Sequence, residues 1–244
     1  MKRLLFLALI PFLCSGEAMA GNVVADVSER KVDVTVGYNG TKLLVFGAIK
    51  KPADIAVVVE GPPVQAKLYT KKKELGIWVN GDSAFFGSVP GFYAVATTRA
   101  VSEFVKPAAI RRYGLSLAGL DMPPQPEGSK ARPENFLSLK QAQWMKGHYQ
   151  EKQKKVEIIE KNLFRASFDI PASAPKGTYT VRVHAIEGGR VVSTDTVNFT
   201  VETVGLEASI YRLAYKRPFL YAFLALVLSL GLGGVSSYVF RRLA

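Results

Sequence analysis

Residues Phe219 to Phe240 form an uninterrupted run of 22 residues without a charge. At a rise of 1.5 Å per residue, a helix of this length crosses a hydrocarbon core of about 30 Å with a little tilt. Such a segment belongs in a bilayer. The N-terminus carries a shorter apolar run, Leu4 to Leu13, behind Lys2 and Arg3 and ahead of Ala18-Met19-Ala20. A basic start, an apolar middle and small residues before the cut are the pattern of a cleaved secretory signal. The expected organisation is a signal at 1–20, a β-rich domain at 21–120 and a linker with a helix at 121–155. A β-sandwich portion at 156–204, a juxtamembrane segment at 205–217, a transmembrane helix at 218–240 and a tail at 241–244 follow.

The bounds on chemistry follow from that layout. The one cysteine, Cys14, lies in the signal, so the exported part must be held by burial rather than by disulfides. The formal charge is +12, and one less after Lys2, Arg3 and Glu17 are removed. Outside the cytoplasm the common polyanions are lipid head groups and envelope polymers, so this charge points to anionic lipid and not to nucleic acid. Arg212, Lys216 and Arg217 precede the span, whereas Arg241 and Arg242 follow it. Counting positive charges does not choose an orientation here. The cleaved signal does, and it directs the C-terminus to the cytoplasm.

The first half reads as β. Val32, Val34, Val36 and Tyr38 alternate with polar partners, and Asn39-Gly40 then predicts a hairpin into Thr41 to Ile49. Ile55 to Glu60 and Val64 to Tyr69 read as a second pair around Gly61-Pro62-Pro63. Gly76 to Asn80 and Phe92 to Thr98 read as two further strands. The stretch Ser102 to Leu120 is mixed, and Pro123, Pro124, Pro126 and Gly128 mark a linker. Pro133 opens a helix that Gly147 ends, with Phe136, Leu137, Trp144 and Met145 as its buried side, trailing into Lys152, Lys154 and Lys155. Phe164 to Ile170 and Tyr179 to Ala185 alternate again, and Gly188-Gly189 turns the chain into Val191 to Val201. The fold class is mainly β: about ten strands suit one enlarged sandwich or two small ones, with two immunoglobulin-like units joined through a helical insert favoured, and one C-terminal transmembrane helix follows.

The order of several motifs is more specific than any one of them. Gly76-Ile77-Trp78-Val79-Asn80, Val89-Pro90-Gly91-Phe92-Tyr93-Ala94-Val95, Gly177-Thr178-Tyr179-Thr180-Val181 and Val204-Gly205-Leu206-Glu207-Ala208 precede the span in that sequence. With them the chain resembles the transmembrane protein family of alphaproteobacteria over nearly its whole length. The resemblance implies a bacterial inner-membrane protein with a periplasmic domain and a neighbouring exporter of the sulfite/sulfonate type. It implies no catalytic residue and no cofactor.

Residues that suggest chemistry have simpler readings beside them. Gly81-Asp82-Ser83 is similar to the start of a serine esterase block, but Ala84 follows it and neither His148 nor His184 has the acid spacing of that chemistry. A local turn is the expected reading. Two scattered histidines do not make a zinc set, so no catalytic or metal site is expected. Lys71, Lys72 and Lys73 read as a solvated loop between strands, with anion binding as the functional alternative. Trp78 and Tyr93 read as core aromatics, and Asn80 and Arg99 as residues at strand ends that border any pocket there.

The tail carries the sharpest hint. Ala225, Ser229, Gly233 and Ser237 recur every four residues, giving one helical face of small side chains that suits close packing against another span. Tyr211, Tyr215, Phe219, Tyr221 and Tyr238 read as interfacial anchors. The span holds no Asp, Glu, Lys or His, so it offers no ion path by itself. The expected function is a non-enzymatic accessory subunit whose partners are the bilayer and a polytopic membrane protein, or a second copy of the chain. The alternative is an exported, membrane-tethered anion-binding module.

Overall fold

The computed structural model describes residues 21–35, 37–125, 129, 131–150 and 154–243. The signal segment with Cys14, and Val36, Pro126, Gly128 and Lys152 of the readings above, lie outside the described residues. Alternating valines, phenylalanines and alanines build two sheets around a shared core. One sheet has the order β1 (Val23–Val27), β3 (Thr41–Ile49), β10 (Leu163–Ile170), β9 (Glu157–Ile159). The other runs β2 (Lys31–Val34), β12 (Arg190–Thr203), β11 (Gly177–Glu187), β4 (Asp54–Glu60), β7 (Tyr93–Thr97), β8 (Lys154–Lys155). Their inner faces meet in one cluster that includes Val45, Phe164 and Phe168 from the first sheet and Val57, Tyr179, Val183 and Phe199 from the second.

Strands from both sides of the helical insert share both sheets: β3 pairs with β10, and β4 with β11. The β-rich part is therefore the single enlarged sandwich and not the favoured pair of units. Local alternation specifies strands, and it carries no information on which distant strand completes a sheet. The Asn39-Gly40 hairpin is a second correction. β2 pairs in parallel with β12, so β2 and β3 belong to different sheets. Gly40 is still required there: its φ is +100°, and a Cβ would lie 2.7 Å from the Ile170 carbonyl oxygen. Gly188-Gly189 does form a two-residue hairpin turn, with positive φ at both positions and Glu187 opposite Arg190.

The second sheet is buried on both faces at β4. Ile55, Val57 and Val59 enter the sandwich core, while Ala56 and Val58 join a second cluster with Tyr93, Phe104, Leu115, Tyr149 and Ile186. The cover on this outer face comes from α1 (Val101–Phe104), α2 (Pro107–Arg112) and the segment after them. A strand buried on both sides reads as a continuous apolar run, as Ile55-Ala56-Val57-Val58-Val59 does.

The remaining strands make a ribbon of their own. β5 (Pro63–Glu74) and β6 (Ile77–Pro90) pair only with each other. β4 and β5 are thus successive parts of one extended path, not a hairpin, and β6 runs unbroken through Gly81 and Gly87. The helix α3 (Pro133–Met145) packs on the near half of this ribbon. Phe136 and Leu139 meet Ala84, Phe86 and Val89, and the Phe86 and Phe136 rings lie 5.8 Å apart. Pro133 opens α3 as expected, and the Arg132 backbone N–H donates to Asn135 Oδ1 at 2.9 Å. Its buried side is Phe136, Leu139, Lys140 and Gln143, whereas Leu137, Trp144 and Met145 are exposed. The spacing i, i+3, i+4, i+7 selects that stripe, and the expected one was out of phase with it.

Past β12 come α4 (Leu206–Lys216) and α5 (Pro218–Leu243). The apolar part of α5 is long enough to cross a membrane, and none of it is buried against the rest of the chain.

Candidate functional site

Among the described residues, three places stand out for side chains that the fold itself does not consume. The first is the far half of the β5–β6 ribbon. Its turn is Leu75-Gly76, with φ of +50° and +84°. A turn of this kind favours Asn-Gly, because both central residues need positive φ, and leucine there carries a steric cost. Yet Leu75 is wholly exposed (102%), with Ile77 (69%) and Trp78 (65%) beside it. Trp78 is therefore not a core aromatic. Tyr93 is: it is fully buried, and its hydroxyl donates to the Gly114 carbonyl.

Lys71, Lys72 and Lys73 lie on this ribbon within β5, not in a loop between strands. Successive side chains of a strand point to opposite faces, so the three do not converge. Lys71 Nζ donates to Asn80 Oδ1 at 2.5 Å, and Lys72 Nζ lies 3.5 Å from Asp82 Oδ2. Asn80 thus serves the ribbon. Gly81-Asp82-Ser83 lies inside β6, with Ser83 opposite Tyr69, so the expected turn is a strand.

The second place is a cavity of about 460 Å³ on the outer face of the six-stranded sheet. Arg111, Arg112 and Tyr113 border it from α2 and the residue after it, and Glu60, Arg182, His184 and Thr194 from the strands. Gly119 to Asp121 close its rim. Arg182 and Glu60 form an ion pair, and Arg112 lies over the Tyr113 ring. His184 alternates with the core-facing Val183 and Ala185 of its strand, and the cover over its face leaves it only 2% exposed. Its Nδ1 meets Thr194 Oγ1 at 2.8 Å, while its buried Nε2 has no hydrogen-bond partner among the described residues. Burial, helped by the Arg182 charge, pushes its pKa down to about 4, so the ring is neutral at pH 7. An anion with an oxygen acceptor would satisfy an Nε2–H beside these guanidinium groups.

The other candidates are structural. His148 is buried between Gln143 Oε1 (3.1 Å) and Ser173 Oγ (3.0 Å), and burial lowers its pKa. Arg99 borders a shallow depression, but its guanidinium is held by Asp54, with Nη2 to Oδ2 at 2.6 Å. Among the described residues no group of three or more His, Cys, Asp or Glu side chains converges.

The third place is α5. Ala225, Ser229, Gly233 and Ser237 are all exposed on it, and a Cβ at Gly233 would meet nothing within 4 Å. Against known families, residues 22–242 match the one described as "Putative transmembrane protein (Alph_Pro_TM)". The chain belongs to this family. The matched range takes in the sandwich, the ribbon and α5 together, so the membrane segment is part of the family's own architecture. No curated protein matches the chain.

The sequence reading missed two of these features. The free ribbon end was hidden because its alternation looks like that of any half-buried strand. The cavity was hidden because Arg111 and Arg112 meet Arg182 and His184 only through the fold; a residue pattern along the chain cannot bring them together.

Proposed function

We propose that this membrane protein is a non-enzymatic accessory subunit, anchored by α5 in a bacterial inner membrane with its sandwich in the periplasm. In this reading the N-terminal signal exports the chain, and the small-residue face of α5 packs against the helices of a polytopic partner. The observation that carries it is the exposed face of Ala225, Ser229, Gly233 and Ser237 on a span whose apolar part is not buried by any described residue. In lipid, apolar surface alone gives helices little reason to associate, and small residues permit the close backbone approach that does. The resemblance noted above directs the search for the partner to exporters of the sulfite/sulfonate type.

The test is a mild-detergent pull-down of the full-length chain from native membranes, beside its Gly233→Leu variant. Because a Cβ there meets nothing within 4 Å among the described residues, the substitution is expected to leave the sandwich folded. A stoichiometric polytopic protein that accompanies the wild type and is lost from the variant is the expected result. An unchanged set of companions in the variant would defeat the reading.

The cavity beside His184 favours a second reading, a membrane-tethered anion-binding module, with Arg111, Arg112 and Arg182 in place of the lysines first considered. Thermal unfolding of the full chain with sulfate or phosphate, against chloride at equal ionic strength, tests it. Stabilisation that disappears in Arg111→Gln/Arg112→Gln and survives in Lys71–Lys73→Ala supports this reading. No ion-specific stabilisation, or a loss only with the lysines, opposes it.

A further inference from the structure

The ribbon is a continuation of the sandwich. The Gly61 N–H donates to the Phe92 carbonyl (2.8 Å) and the Gly91 N–H to the Pro62 carbonyl (2.9 Å). The β4–β7 ladder therefore runs on into Pro63 opposite Pro90. This happens at a defined end of the sheet. Glu60 lies opposite Thr180, and Gly177 opposite Val201, two residues before β12 ends and the chain leaves for α4 and α5. Arm and membrane tail thus depart from the same end of the sandwich. Twelve residues of β5 extend about 40 Å, while the eleven of α4 extend about 16 Å. The arm is long enough to reach the surface where α5 begins.

Its chemistry is graded along its length. The end bears Leu75, Ile77 and Trp78, all exposed. Lys73 stands opposite Trp78, and behind it come Lys72 and Lys71, then Tyr69 with Lys67 over its ring at 5.0 Å. Four lysines outnumber Glu74 and Asp82 on this stretch. Apolar residues foremost, an aromatic ring at their edge and ammonium groups behind match the layers of a lipid–water interface. The lysines complement anionic head groups. Leucine at the strained, wholly exposed turn position contributes nothing to the sandwich, so its use lies in what it meets.

We infer that Leu75, Ile77 and Trp78 enter the interface of the same bilayer that holds α5, with Lys71 to Lys73 against anionic head groups, making the arm a second membrane attachment. This does not rest on the accessory reading, since it requires lipid and no partner.

The chain has two tryptophans, and Trp144 lies on the exposed side of α3, so Trp144→Phe leaves Trp78 as the sole probe. The full-length variant is reconstituted in phosphatidylcholine vesicles with and without phosphatidylglycerol. With the anionic lipid, Trp78 emission is expected to shift to the blue. Quenching by brominated lipid should rise severalfold, and quenching by aqueous iodide should fall. Lys71–Lys73→Gln should reverse most of that change. Water-like emission with full iodide quenching in both vesicles would overturn the inference. So would shielding from both quenchers, which would place the tip against protein, either a partner or a second copy.

Discussion

The two halves of the β5–β6 arm have the same local sequence grammar and opposite fates. Near the sandwich, Ala84, Phe86 and Val89 are buried because Phe136 and Leu139 of α3 lie on them. Beyond that brace, Leu75, Ile77 and Trp78 stand in solvent. The six-stranded sheet repeats the lesson: the segment after β7 covers Ala56, Val58 and His184, and turns a face that would be polar into a second core. What the insert covers becomes structure; what it leaves uncovered is available for contact. A ribbon of two strands is marginal alone in water, so the brace also holds the arm out.

The widest separation between the halves is energetic. Phe86→Ala should lower unfolding stability by about 3–5 kcal/mol, the range for emptying a packed phenylalanine site, read from urea unfolding of the full chain. A loss no larger than that of an exposed position would show that the brace is loose.

Acid tests the covered face. The folded pKa of His184 is depressed to about 4 against an ordinary 6.5, so between those values the unfolded chain binds a proton that the folded one does not. Stability is therefore complete above pH 6.5 and falls as the pH drops toward 4, by up to about 3 kcal/mol at ~1.4 kcal/mol per unit. His148 is shifted the same way and adds to the slope. Urea midpoints from pH 7 to 4 measure this, and His184→Asn should flatten most of it. An unchanged slope in that variant would mean that the ring is not held neutral by its cover.

The smaller effects belong to the free half. Leu75→Gly relieves the positive φ and should raise stability by at most about 1 kcal/mol, the scale of the left-handed penalty less the added freedom of the unfolded glycine. Trp78→Ser should change stability by no more than about 0.5 kcal/mol, as for a surface position outside any network. A large loss from Trp78→Ser would erase the distinction between the halves.

Much of the sandwich was legible along the chain. Phe164, Ala166, Phe168 and Ile170, and Tyr179, Val181, Val183 and Ala185, are buried where alternation placed them. Gly188-Gly189 turns where it was expected to, and Pro133 opens its helix. Partnership was not legible. Nothing in Lys31 to Val34 announces a parallel neighbour at Thr200 to Thr203, and nothing in Trp78 distinguishes a covered strand from an uncovered one. The stripe of Ala225, Ser229, Gly233 and Ser237 was readable because helical periodicity alone defines it, whereas the arginine cavity needs α2 and the strands β4, β11 and β12 brought together.

One half of the arm serves the fold, and the other serves contact. Hydrogen exchange of the full-length chain, compared between neutral detergent and nanodiscs with anionic lipid, tests this most directly. The account predicts slow exchange at 84–89 in both settings, and fast exchange at 71–80 in detergent that slows severalfold in the nanodiscs. Equal exchange along the whole arm, or no response of 71–80 to the membrane, would contradict it.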